Sequence, residues 1–185
     1  HTCRTSTVDG NLTYVTGGTN TCSVAGSTQT QSEQIPTMPM PISQSQIDGW
    51  KEEALAGGTS GSVTVSGTQS LGPKKINGNL TLNNNAILKV TGTLHVTGNI
   101  TLNNNATIKL DASYGSLGGV IVTDGKIDMG NKGFALGSGQ TGSYLLMLST
   151  NTASDAIVLD NNVSGGIFYT SAGTIDLNNN VQVKE

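Results

Sequence analysis

Aromatic residues make up only 4% of this chain and charged residues only 11%, with Arg4 the sole arginine. Nine Lys and Arg, spread thinly through a chain of net charge −3, form no basic stripe, which excludes an electrostatic footprint for nucleic acid. No apolar run approaches the roughly 18 residues that a membrane-spanning helix requires. No signal peptide is present either, so membrane attachment is expected only through a segment absent from this chain. Disordered chains combine low hydrophobicity with high net charge; here charge is low and the hydrophobic 35% recurs at regular places. Such a composition suits a narrow core of Val, Ile, Leu and Ala.

What is abundant is glycine, 25 of 185 residues, together with runs of Asn, Thr and Ser. The runs belong to a repeated phrase: apolar–x–apolar, a polar corner, then a second short strand. It is clearest in Leu80-Thr81-Leu82-Asn83-Asn84-Asn85-Ala86-Ile87-Leu88-Lys89-Val90 and returns as Ile100-Thr101-Leu102-Asn103-Asn104-Asn105-Ala106-Thr107-Ile108-Lys109-Leu110. Weaker copies begin at Val63, Ile127, Ile157 and Ile175, so successive spacings from Val63 are 17, 20, 27, 30 and 18 residues. Periods of that length, made of short strands, signal a solenoid whose turns rest on one another. A third strand closes each turn, as in Leu94-His95-Val96, Val120-Ile121-Val122 and Ile167-Phe168-Tyr169. The expected fold is therefore all-β: a right-handed parallel β-helix, a three-sided solenoid over residues 58–185. Loops at 112–118 and 137–142 are expected to absorb the longer spacings.

Upstream, residues 1–30 read as an N-terminal β-coil segment, because Val8-Asp9-Gly10-Asn11-Leu12-Thr13-Tyr14 echoes Ile76-Asn77-Gly78-Asn79-Leu80-Thr81-Leu82. Cys3 and Cys22 lie 19 residues apart in matching contexts. Coiling with that period brings them to neighbouring strands, about 4.8 Å apart, which suits a disulfide; two unrelated free thiols are the alternative. A bridge implies an oxidising, extracytoplasmic setting. Residues 31–42 form a Pro/Gln/Ser linker, since Pro36, Pro39 and Pro41 prevent regular pairing. Residues 43–57 read as one short capping helix. Ser43 with Gln46 makes a capping box, Gly57-Gly58 supplies a stop, and Ile47, Trp50, Ala54 and Leu55 follow helical spacing. Those four are expected to plug the open end of the solenoid, shielding its strand edges; a ligand-binding Trp50 is the sharper alternative. The start at His1 and the end at Val183-Lys184-Glu185, in mid-strand by the repeat, suggest a fragment or processed form.

The order of Met40-Pro41-Ile42 through Ala56, then Leu71-Gly72-Pro73-Lys74-Lys75-Ile76 and the Asn-rich coils, resembles a family of bacterial cell-surface proteins. The resemblance covers about residues 38–185. In that family, found among candidate-phyla bacteria, parallel β-helix repeats lie behind pilin-like N-terminal segments. A looser resemblance is to bactofilin-type β-helices. The resemblance implies an extracellular or cell-surface location and an architecture, not an activity.

Candidate sites are few. Asn83, Asn84 and Asn85 should stack beneath Asn103, Asn104 and Asn105, with Asn178, Asn179 and Asn180 in a later coil. The expectation is a structural ladder in which each amide bonds its copy on the next rung, against a sugar-binding row of amides. Sequons at Asn11, Asn79, Asn99, Asn105 and Asn162 follow from the repeat itself, although glycans could use them. His95 is expected to face solvent. Asp111, Asp124, Asp128, Asp155, Asp160 and Asp176 are scattered rather than paired for glycosidic cleavage. A Thr array for ice binding fails after Thr81 and Thr101, where Ile121, Asp128, Val158 and Asp176 interrupt it. No catalytic residue, cofactor or metal ligand set is expected. The function expected is a non-enzymatic structural or adhesive module, with surface glycans or other copies of itself as partners and Tyr114, Tyr144 and Tyr169 as stacking rings. The alternative is a polysaccharide-binding or polysaccharide-cleaving β-helix protein. Mass analysis of the unreduced protein should find it two hydrogens lighter than the free dithiol; alkylation of both cysteines without reductant would reject the bridge.

Overall fold

The computed structural model describes the backbone of residues 2–33 and 39–183. The chain divides into two compact units, His1–Pro39 and Met40–Glu185. Pro36, with the rest of 34–38, lies outside the described residues, as do His1, Lys184 and Glu185.

The first unit holds β1 (Thr2–Val8), β2 (Leu12–Val15), β3 (Thr19–Val24) and β4 (Thr28–Gln31). β1 pairs in parallel with β3, and β2 with β4. Parallel neighbours joined through an intervening strand describe a coil, as the echo of the repeat phrase suggests. Cys3 sits opposite Asn20, so Cys22 lies diagonally across on the same face. Their Cα atoms are 5.7 Å apart and the two sulfurs are bonded, within the usual disulfide range.

The second unit opens with α1 (Gln44–Ala56). Ser43 and Gln46 form the expected capping box: the Ser43 N–H donates to Gln46 Oε1 at 2.9 Å, and the Gln46 N–H to Ser43 Oγ at 3.3 Å. The left-handed stop falls on Gly58, at φ +83°. Short strands follow in circuits of three: β5 (Thr59–Ser60), β6 (Val63–Val65), β7 (Thr68–Leu71); β8 (Lys74–Ile76), β9 (Leu80–Leu82), β10 (Ile87–Val90); β11 (Leu94–Val96), β12 (Ile100–Leu102), β13 (Thr107–Leu110). The later circuits are β14 (Gly119–Thr123), β15 (Ile127–Met129), β16 (Phe134–Leu136); β17 (Leu145–Ser149), β18 (Ile157–Leu159), β19 (Ser164–Gly165); and β20 (Ile167–Thr170) with β21 (Ile175–Leu177). Every third strand joins the same parallel sheet. Sheet I is β5-β8-β11-β14-β17-β20, sheet II is β6-β9-β12-β15-β18-β21, and sheet III is β7-β10-β13-β16-β19. The arrangement fits a three-sided parallel β-solenoid.

Two corners explain the composition. Between sheets II and III every circuit needs a left-handed residue: Gly67, Asn85, Asn105, Lys132, Asn162 and Asn180 all have φ between 56° and 79°. Asn tolerates that region better than other side chains. The rungs are tied there by backbone, with the Asn85 N–H donating to the Asn104 carbonyl (3.1 Å) and the Asn105 N–H to Asn131 (3.0 Å). The expected amide ladder through Asn83, Asn84, Asn85, Asn103, Asn104, Asn105, Asn178, Asn179 and Asn180 is therefore not what holds this corner. Among the described residues, Asn83 Nδ2 donates to Ser66 Oγ (2.8 Å), Asn178 Nδ2 to Asp160 Oδ1 (3.0 Å), and Asn161 Oδ1 accepts the Asn179 N–H (3.1 Å). Turn geometry claims the backbone first, and it leaves the amides at the surface.

A ladder of amide oxygens bonded to backbone N–H groups of the next rung sits at the other corner, between sheets I and II. Asn79 Oδ1 accepts the Asn99 N–H, and Asn99 Oδ1 accepts the Lys126 N–H, each at 2.9 Å. The amide occupies the space where a side chain on the next rung would stand, so Gly98 and Gly125 are obligatory: a Cβ on either would collide with that oxygen. The first unit repeats the device, with Asn11 Oδ1 accepting the Ser27 N–H at 2.8 Å over Gly26.

The core is the narrow column the composition implies. Leu80, Leu82, Leu88, Ile100, Leu102, Ile108, Ile127, Met129, Ile157 and Leu159 are all buried. Ile175 and Leu177, which hold the same positions in the last copy of the repeat, are 37% and 55% exposed because no described strand stacks on β21. In sheet II the outward file runs Thr64, Thr81, Thr101, Asp128, Val158, Asp176; Ile121 belongs to sheet I and points into the core.

The helix does not plug the end. α1 packs along the outer face of sheet I, where Ile47 and Trp50 meet Val122, Leu148 and half-buried Val120, Leu146 and Tyr169. Ala54 is buried, while Leu55 points away at 48% exposure and belongs to no cap. The reason is that β14 and β17 carry apolar residues on both faces, and a sheet buried on one side only would leave Val122 and Leu148 in water. Leu102→Ala should destabilise the second unit by about 2–5 kcal/mol, the usual range for a buried Leu, measured by denaturant unfolding; a change within error would reject the packed column.

Candidate binding face

The longest departures from the repeat lie at the corner between sheets III and I. Residues 111–118 follow β13, and residues 137–144 follow β16 one rung later. Asp111 starts the first insertion by accepting the Ser113 N–H at 3.0 Å, capping a short 3-10 turn at Ala112–Tyr114. That bond first, with Lys89 a lesser contributor, holds its exposed carboxyl below the usual range. The two loops then stack. The Gly119 N–H donates to the Tyr144 carbonyl at 3.0 Å, Ser143 Oγ to the Leu117 carbonyl at 2.7 Å, and Ser138 Oγ to the Gly115 carbonyl. They form one protrusion beside the outer face of sheet III.

That face carries Lys89 and Lys109 directly in register, with Ser70 before them and Leu136 after. Neither lysine has an ion-pair partner among the described residues; the pairs there are Lys51–Asp124, His95–Asp124 and Lys126–Asp155. Lys109 and Leu136 continue into a cleft of about 440 Å³ whose far wall includes Ser138, Gln140, Thr141 and Ser143. Leu117, Phe134, Leu136 and Tyr144 are exposed on the same face and protrusion.

A second cluster seats the helix. His95 does not face solvent as expected: it is 5% exposed beneath α1. Its Nε2 lies 2.8 Å from Asp124 Oδ2, while Lys51 Nζ donates to Asp124 Oδ1 at 2.6 Å and Thr150 Oγ1 to the same oxygen at 3.1 Å. His95 Nδ1 is buried without a partner. Burial alone would raise the Asp124 carboxyl, but the hydrogen bonds and charges of Lys51 and His95 outweigh it and hold it below the ordinary range. The sequence separates these residues by 29 and 73 positions, so spacing gives no hint of them. The available signal was the doubly apolar β14 and β17, which require a cover.

The remaining expected residues are dispersed. Asp155 pairs with Lys126 at 2.6 Å. On sheet II, burial first and the Asp160 charge second raise the Asp128 carboxyl. Tyr169 packs under the helix and Tyr114 against the core, so of the three stacking rings only Tyr144 is free. Asn79 and Asn99 are exposed sequon positions whose amide oxygens already serve the corner. Among the described residues no helix is long and apolar enough to cross a membrane. Compared with known proteins, the chain matches no family model, no curated protein and no solved structure.

The seat has a pH dependence of definite sign. A carboxyl lowered in the folded state contributes stability above its unfolded value and loses it as pH falls through the folded value. Emission of Trp50, the sole Trp, should therefore shift to the red on acidification below the carboxylate range, before the column of the solenoid melts. Asp124→Asn should cost about 1–2 kcal/mol at neutral pH, the worth of hydrogen bonds to a charged group reduced by solvent screening at a side chain 36% exposed, and abolish that acid step; an unchanged titration in the variant would refute the assignment.

Proposed function

We propose that this chain is a non-enzymatic extracellular module, a right-handed three-sided β-solenoid serving as a structural or adhesive part of a bacterial surface or pilus-associated protein. The observation that carries the reading is the pairing of a regular stack with one irregular face. Insertions in a solenoid collect where it meets partners, and the two longest insertions here build a single protrusion beside an exposed mixed face, with a third, 150–156, at another corner. The Cys3–Cys22 bridge supports a non-reducing setting. Of the acids, Asp111, Asp124 and Asp155 are occupied by turn hydrogen bonds, histidine or lysine, Asp160 accepts from Asn178 Nδ2, and Asp128 feels the Asp160 charge.

Glycan binding, the adhesive form, is favoured by the cleft and the exposed Tyr144; a stalk is favoured by apolar Ile175, Leu177 and Val183 on the last described circuit. A glycan array beside a polysaccharide-degradation screen, with and without calcium, separates these from an enzyme. Saturable binding without turnover is expected. Turnover of any polysaccharide would overturn the reading, and concentration-dependent size without glycan binding would turn it from adhesin to stalk.

A further inference from the structure

The unpaired lysines on sheet III call for a physical account. Like charges placed directly opposite one another on neighbouring strands are destabilising. Lys89 and Lys109 stand in that relation at one strand spacing, about 4.8 Å, with Ser70 and Leu136 as their flanking neighbours in the file. Elsewhere in the same unit Lys51 and Lys126 are each matched to an aspartate at 2.6 Å, while Lys74, Lys75 and Lys132 have no ion pair among the described residues and do not face one another along a sheet as these two do. Asp111, the nearest acid to feel Lys89, has its carboxyl turned to the Ser113 N–H. Two lysines therefore stand side by side on the outer face of two central strands of the sheet.

Their surroundings narrow what they would meet. The cleft beginning at Lys109 combines that ammonium with the Gln140 amide, the Thr141 hydroxyl and the apolar Leu136 wall. An occupant needs hydroxyl or carbonyl groups for the first three and a C–H surface for the last. It also needs negative charge repeated at about the rung spacing. A short cationic row on a chain of net charge −3 is too little for nucleic acid. We infer that Lys89, Lys109 and the cleft formed by residues 136–143 bind an anionic glycan, a sugar chain bearing carboxylate or sulfate groups, laid along the solenoid axis across sheet III. The inference rests on the adhesive reading above and names the ligand class of that same face. Tyr144 and Phe134, exposed at its borders, offer flat apolar surfaces to the sugar rings.

The test is calorimetric titration with oligogalacturonate, a sulfated galactan and a neutral galactan of matched length, at low and physiological salt. Variants Lys89→Gln, Lys109→Gln and their double are compared with Lys126→Gln, at a different corner, with Trp50 emission and circular dichroism confirming the fold. Binding of one or both anionic chains is expected, weaker at higher salt, with about a tenfold loss for each sheet III lysine and none for Lys126→Gln. The preferred arm tells carboxylate from sulfate. Equal binding of the neutral galactan, unchanged affinity in the double variant, or no binding of either anionic chain would overturn the inference. A salt-sensitive dimer lost in the double variant, without glycan binding, would overturn it in favour of a second copy on this face. Lysine-independent binding of a neutral glycan would sink this inference alone, whereas turnover would sink the proposed function.

Discussion

Parallel strands stacked in register at a fixed spacing are the constraint on which the rest of the second unit depends. Each circuit must return to the same place one strand higher, so its corners must turn through the same backbone angles. The corner between sheets II and III does so with four residues in successive circuits, at 83–86, 103–106, 130–133 and 160–163. Each carries one left-handed residue. That corner tolerates Lys132 in place of Asn, and the first circuit makes it with two residues, 66–67, around Gly67. The corner between sheets I and II is fixed differently, by an amide oxygen that fills the space over a glycine. Longer insertions are left to the third corner and to residues 150–156, which is why the protrusion stands where it does.

Register also determines what lies outside. Alternation in a short strand puts two residues inward and one outward, so a column of Leu, Ile and Val forms with few aromatics. Sheet I breaks the pattern, because Val122 and Leu148 line up with His95 and Tyr169 on the outer side. The helix covers them, and the price is a buried imidazole. Asp124, Lys51 and Thr150 satisfy one side of the cluster, while Nδ1 of His95 faces no donor. The helix is thus held by polar contacts at its middle and apolar ones nearer its start, which makes it a separable layer on an otherwise continuous column.

Within the second unit, no described helix covers sheet III. Its outer face mixes two in-register ammonium groups, exposed apolar side chains and a cleft walled by stacked loops. The sheet fixes the backbone positions of those groups one strand apart, although ordering each flexible lysine stem on binding still costs rotamer entropy. Under the proposed adhesive role, this placement favours a long, repetitive ligand over a small one.

The sequence by itself determined the period, the strands and most of the core, because the inward residues of a stack recur at fixed offsets from the Asn corners. It also determined the helix bounds, through Ser43, Gln46 and Gly58, and it placed Cys3 near Cys22. Even Lys89 and Lys109 were legible as one position of the repeat phrase. Tertiary structure alone decided what those positions do. The Asn runs serve backbone turns rather than an amide ladder, since a left-handed residue is needed whatever the side chains could bond. The helix covers a side rather than an end, since unequal insertions bring Val122 and Leu148 into one file only after the circuits close. His95 meets Asp124 and Lys51, and the two loops meet one another, through contacts between adjacent circuits and an overlying helix. Periodicity fixes the order of a solenoid, but irregular segments add their own lengths, and only closure of the coil settles which of them face each other.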